Sequence, residues 1–202
     1  MEYLFTVIIF SISASITPGP NTIMAMSSGL NFGTRRSLPL LWGICLGFSF
    51  MLFFVGMGIG QIFTLFPQLT LYMKLVGIAY LLYLAFVIAN SGELKKGAKF
   101  DDPLSFLKGV LFQWVNPKAW IVCVSAVSTF TTPGNSYVGQ LLLLTCAFLI
   151  VGPLCVGIWI FLGAFLKQHL TNRNYVKNMN IFMALLLVLS IIPAIQTLWL
   201  TY

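Results

Sequence analysis

The residue best placed to do chemistry in this chain is Lys118, set in Trp114-Val115-Asn116-Pro117-Lys118. A lysine can hold a carboxylate with its ammonium charge, and it can also release a proton. Pro117 has no amide N–H, so a helix running through this point loses a hydrogen bond and frees a carbonyl about one turn earlier. A second stretch has the same makings: Thr17-Pro18-Gly19-Pro20-Asn21, in which two prolines flank a glycine. A helix restarting near Pro20 would aim its first N–H groups into the break, an end that favours anions. Freed carbonyls, with Thr17, Asn21 and Asn116, supply acceptors for an ammonium group. A place with both characters suits a zwitterion. The candidate binding residues are therefore Thr17, Pro18, Gly19, Pro20, Asn21, Asn116, Pro117 and Lys118. The plain alternative is a pair of proline kinks with a buried lysine between them.

Little else offers a reaction. Cys45, Cys123, Cys146 and Cys155 have no C-x-x-C spacing and read as small apolar fillers without disulfides. His169 stands alone, and the four acidic residues (Glu2, Glu93, Asp101 and Asp102) avoid the long apolar runs. Neither a G-x-S-x-G elbow nor a G-x-x-x-x-G-K-[ST] phosphate loop is present. An enzyme is not expected, nor a cofactor, a metal site or direct use of ATP.

The elements that would position these residues are membrane helices. Of 202 residues, 59% are hydrophobic and 7% charged, against roughly a quarter charged in a soluble domain. Tyr3 to Thr34, Ser37 to Met73 and Ala119 to Leu166 carry no charge. The last two runs exceed the 20 or so residues that one crossing needs, so each hides a turn. Phe66-Pro67-Gln68 and Thr131-Thr132-Pro133-Gly134-Asn135-Ser136 supply the turn chemistry. These breaks predict an all-α integral membrane protein, one domain over 1–202, with six spans at about 3–29, 38–61, 70–91, 105–130, 138–165 and 178–200. No basic segment precedes the first apolar run, so a cleaved signal peptide is not expected, although Ser11-Ile12-Ser13-Ala14 faintly imitates a cleavage site.

With six spans, all of the eleven basic residues except Lys74 and Lys118 fall on one side. The positive-inside rule makes that side cytoplasmic and leaves both termini outside the cytoplasm. The net charge of +7 is thus a topology signal. Spans separate the basic residues, so the partner is the lipid bilayer and nucleic acid is not expected. The interrupted spans are the first of each group of three, and they run in opposite directions. That is the layout of an inverted three-plus-three repeat whose broken helices form a transport site.

At these motifs the sequence resembles the LysE/RhtB family of amino-acid exporters, small six-span proteins with a TPGPN-like first span and an NPK-like fourth. Asn31-Phe32-Gly33-Thr34-Arg35-Arg36, Gly43 with Gly47, and Gly77-Ile78-Ala79-Tyr80-Leu81 extend the resemblance along the chain. Val115-Asn116-Pro117-Lys118 followed by Ser125-Ala126-Val127-Ser128-Thr129-Phe130 looks most like the cysteine/O-acetylserine exporters. The resemblance implies a secondary exporter of small neutral amino acids in the inner (plasma) membrane, with protons as the coupling ion. A homo-oligomer is compatible with it. Many relatives carry an acidic residue after the second glycine of span two, where this chain has Phe48. That departure argues against a dibasic substrate. The rival readings are a metal or inorganic-cation exporter, for which only Cys45 or Cys123 could serve, and a non-transporting membrane subunit.

Overall fold

The computed structural model describes residues 2–59, 65–91, 103–169, 173–192 and 195–196. Lys95, Lys96 and Lys99, and the far ends expected for spans two and six, lie outside the described residues. The described chain contains eight helices and no strand: α1 (Glu2–Ile16), α2 (Pro20–Phe32), α3 (Thr34–Gly56), α4 (Pro67–Ala89), α5 (Phe106–Val115), α6 (Pro117–Phe130), α7 (Tyr137–His169) and α8 (Arg173–Leu189).

Both expected interruptions are present. α1 and α2 meet at a bend of 58°, and α5 and α6 at one of 70°. Pro20 and Pro117 open α2 and α6 from the first helical turn, where a missing N–H costs nothing. By contrast, Pro39 and Pro153 lie inside α3 and α7, which continue through them. A proline alone therefore does not set the breaks; the neighbouring Pro18-Gly19 and the helix-capping Asn116 do.

Several boundaries differ from the sequence reading. α3 starts at Thr34, so Arg35 and Arg36 lie in its first turn and not in a connection. Only Gly33 separates α2 from α3, at φ +80°, a left-handed conformation that suits glycine. The Arg36 guanidinium lies over the Phe32 ring, 5.6 Å from its centre. Lys108 and Lys177 are likewise helical, in α5 and α8. Charges mark a membrane surface, but a helix can pass through that surface unbroken.

Three helices (α3, α4 and α7) are long and apolar enough to cross a membrane, and each bent pair counted as one span raises the number to five. α8 is shorter, at 17 residues. It packs along α4 and α2 and is anchored there through Asn180. Asn180 and Asn31 exchange two amide hydrogen bonds of 3.0 Å, and Asn180 also donates to the Ser91 carbonyl at 2.8 Å. A fully buried carboxamide is tolerable only with such partners.

Glycines let the helices approach. Gly29 of α2 and Gly163 of α7 face each other's backbone, and Gly43 and Gly47 of α3 face Phe106 and Val110 of α5. A methyl group added at Gly163 would collide with the Met26 carbonyl oxygen, whereas one at Gly139 would meet nothing within 4 Å. Overpacking of this kind costs about 1–3 kcal/mol. Gly163→Ala is therefore expected to lower the thermal unfolding midpoint in detergent, and Gly139→Ala to leave it unchanged or raise it. Equal midpoints for the two variants would show that α2 and α7 are less tightly apposed than described.

Candidate functional site

The two breaks meet, and Lys118 joins them. It stands in the first turn of α6, and its Nζ donates to the Thr17 carbonyl at 2.7 Å and to the Pro18 carbonyl at 3.4 Å. Those carbonyls follow the last turn of α1, the negative end of that half-helix, which favours a cation. Asn116 is almost fully buried and caps α6, accepting the Lys118 N–H on Oδ1 at 3.1 Å.

Several of the groups freed at the breaks have found partners. Pro20 has no N–H for the Ile16 carbonyl, and the Trp159 indole of α7 donates to it at 3.1 Å. Lys118 N–H is taken by the cap, and the Trp114 carbonyl instead accepts the Trp120 indole at 2.8 Å. Thr17 bonds back to the Ser13 carbonyl through both its N–H and its hydroxyl. At the start of α2, Gly19 N–H donates to Thr22 Oγ1 at 2.8 Å, and that hydroxyl donates to the Gly19 carbonyl at 2.9 Å. Asn21 and Gln113 exchange amide hydrogen bonds of 2.8 and 3.0 Å across α2 and α5.

Gly19 has φ 173°, an extended conformation open to any residue. Its requirement is space: a Cβ there would stand 2.9 Å from Lys118 Cδ and 3.2 Å from Nζ.

Beside this junction lies a cavity of about 50 Å³. That is room for about four waters. Thr17, Gly19, Asn21, Asn116 and Lys118 line it, while Pro18, Pro20 and Pro117 do not. Sequence reasoning missed Thr22, which also lines the cavity, and Gln113, which holds Asn21. An uncharged polar residue one turn before Asn116 in an apolar run was the available signal for Gln113. Cys45, Cys123 and Cys155 are buried, as apolar fillers are, and Cys45 also borders the cavity; Cys146 is exposed on α7. Among the described residues, no three of His, Cys, Asp and Glu come together as a metal site would need.

An all-helical membrane protein in which two interrupted spans meet around one small cavity is built as a translocator is built. The comparisons with known proteins agree. A family described as LysE type translocator matches residues 12–192. The chain belongs to this LysE family. It is 31% identical over 180 residues to a cysteine/O-acetylserine efflux protein of Escherichia coli (strain K12), covering 89% of this chain and 90% of that one. A cysteine/O-acetylserine efflux protein of Salmonella typhimurium is 28% identical over 179 residues, with the same coverage. No solved structure gives a significant match.

Proposed function

We propose that this protein is a proton-coupled secondary exporter of small, uncharged amino acids such as cysteine and O-acetylserine. The observation that carries the reading is the state of Lys118, whose ammonium rests on two neutral carbonyls, Thr17 and Pro18. A carboxylate is the stronger acceptor, since charge-assisted hydrogen bonds are roughly twice as strong as neutral ones. A zwitterion supplies both halves of an exchange. Its carboxylate takes Lys118, and its ammonium takes the carbonyls that Lys118 gives up. Lys118 is then the group that can release a proton as the second positive charge arrives, which couples substrate to protons through competition for one place.

The packing supports two inverted halves, α1–α4 and α5–α8. Exchanging the halves turns the α2–α7 contact into α6–α3, and the α3–α5 contact into α7–α1, and all four contacts exist. The α3–α7 and α4–α8 contacts map onto themselves. In this arrangement α8 is the sixth span, at about 26 Å long. The basic ends of α3 and α7 face the cytoplasm, and both termini face away from it.

Two measurements test these statements. Inside-out vesicles should accumulate labelled cysteine, O-acetylserine and serine, but not lysine or arginine, and collapsing the pH gradient should stop it. Accumulation of arginine without cysteine would sink the substrate class. In a background without native cysteines, Gln168→Cys should react with an impermeant thiol reagent from the cytoplasmic side, and Ser136→Cys from the opposite side. Labelling of both from one face would overturn the span count between them.

A further inference from the structure

Besides its polar residues, the cavity has an apolar lining that includes Phe48 of α3, Val122 of α6, and Phe148, Gly152 and Val156 of α7. The rings are braced. Phe48 and Phe148 lie 5.0 Å apart between centroids, and Phe148 meets Phe10 edge-on at 6.2 Å. Phe10 in turn packs on Phe130 at 5.2 Å. A ring held in such a chain has little room to swing aside, so this wall is a hard one.

Gly152 differs from the glycines that bring helices together. A methyl group at Gly29, Gly43 or Gly163 would collide with a backbone carbonyl of a neighbouring helix, whereas one at Gly152 would touch only Cys45, 3.4 Å from its Sγ. Helix packing does not require the missing side chain there. The space it leaves is part of the cavity.

Resting on the export reading above, we propose that Phe48 and Gly152 together select the substrate by its side chain. With the amino-acid head at Lys118 and the Thr17 and Pro18 carbonyls, the side chain lies against the apolar wall. Phe48 closes the far end, and Gly152 leaves lateral room. Slender uncharged side chains enter; branched and aromatic ones are excluded. A charged side chain would meet no partner there and would lose its hydration.

The test is a ratio measured in one vesicle preparation, independent of expression level. Inside-out vesicles are given labelled serine with leucine, and serine with O-acetylserine. Shortening the wall in Phe48→Ala should raise leucine relative to serine by about tenfold, the size of effect that a change of one or two carbons in an apolar pocket produces. Phe48→Leu, which keeps a large apolar group against Phe148, should give a smaller shift in the same direction. Gly152→Ala should lower O-acetylserine relative to serine by a similar factor. If Phe48→Ala does not fold, Phe48→Leu and Gly152→Ala decide the matter. Unchanged ratios in folded variants, beside a wild type that exports serine, overturn this inference and leave the export reading intact. A wild type that moves no amino acid overturns the export reading itself.

Discussion

Lys118→Met is expected to abolish export while the protein still inserts and folds. Methionine keeps the apolar stem and removes the ammonium, so the change falls on the charge and not on packing. A hydrogen bond to a charged group contributes up to about 3 kcal/mol, so its loss lowers export by roughly two orders of magnitude. The fold is expected to survive because only the Nζ hydrogen bonds to the Thr17 and Pro18 carbonyls are lost, while the helices on both sides of the junction keep their other contacts. Lys118→Arg separates two mechanisms. A fixed positive charge would be retained by arginine, and part of the export with it. A lysine that must release its proton would not be replaced, because a guanidinium stays protonated; substrate would bind but coupled export would fail. Export and binding are measured for both variants with membrane expression checked. Wild-type export by Lys118→Met would remove the residue from the mechanism and leave the pair of proline kinks as its explanation.

Gly19→Ala is the second variant with a large expected effect, and it acts on the same lysine from the other side. The backbone there is extended, so alanine introduces no conformational strain. Its methyl group, however, would occupy the place of the lysine stem, 2.9 Å from Cδ and 3.2 Å from Nζ. Lys118 is long and flexible and can move aside. The protein should therefore keep its thermal midpoint to within a few degrees while export falls at least about tenfold, since a displaced group loses most of a directional contact. A variant with wild-type transport would show that the ammonium need not rest on Thr17. One with a collapsed midpoint would show that the junction is a packing element.

The two breaks could be read from the sequence because their cause is local. Pro18-Gly19-Pro20 and Asn116-Pro117 combine a missing N–H with a flanking glycine or a capping side chain, a local signature that the lone Pro39 and Pro153 lack. The partners that satisfy each break were not readable. Gln113 is 92 positions from Asn21, and Trp159 is 143 positions from Ile16. Those pairs depend on how helices cross, and spacing along the chain does not carry that information. The start of α3 was misplaced for a related reason. Arg35 and Arg36 fall between the spans expected at about 3–29 and 38–61, but α3 already begins at Thr34, delimited by Gly33, whose positive φ ends α2. Phe48 stands out in the sequence as a departure from the family pattern, yet its place in the lining of the same cavity as Lys118 emerges only once α3, α6 and α7 are assembled.

The two indoles at the breaks anchor them in different ways. Trp120 sits on α6 and bonds to Trp114 of α5, so that bend is braced within its own pair of helices. Trp159 belongs to α7 and bonds to Ile16 of α1, so the bend between α1 and α2 is braced by a helix from a distant part of the chain. Removing one indole would strip a local brace in the first case and a contact between separate helices in the second.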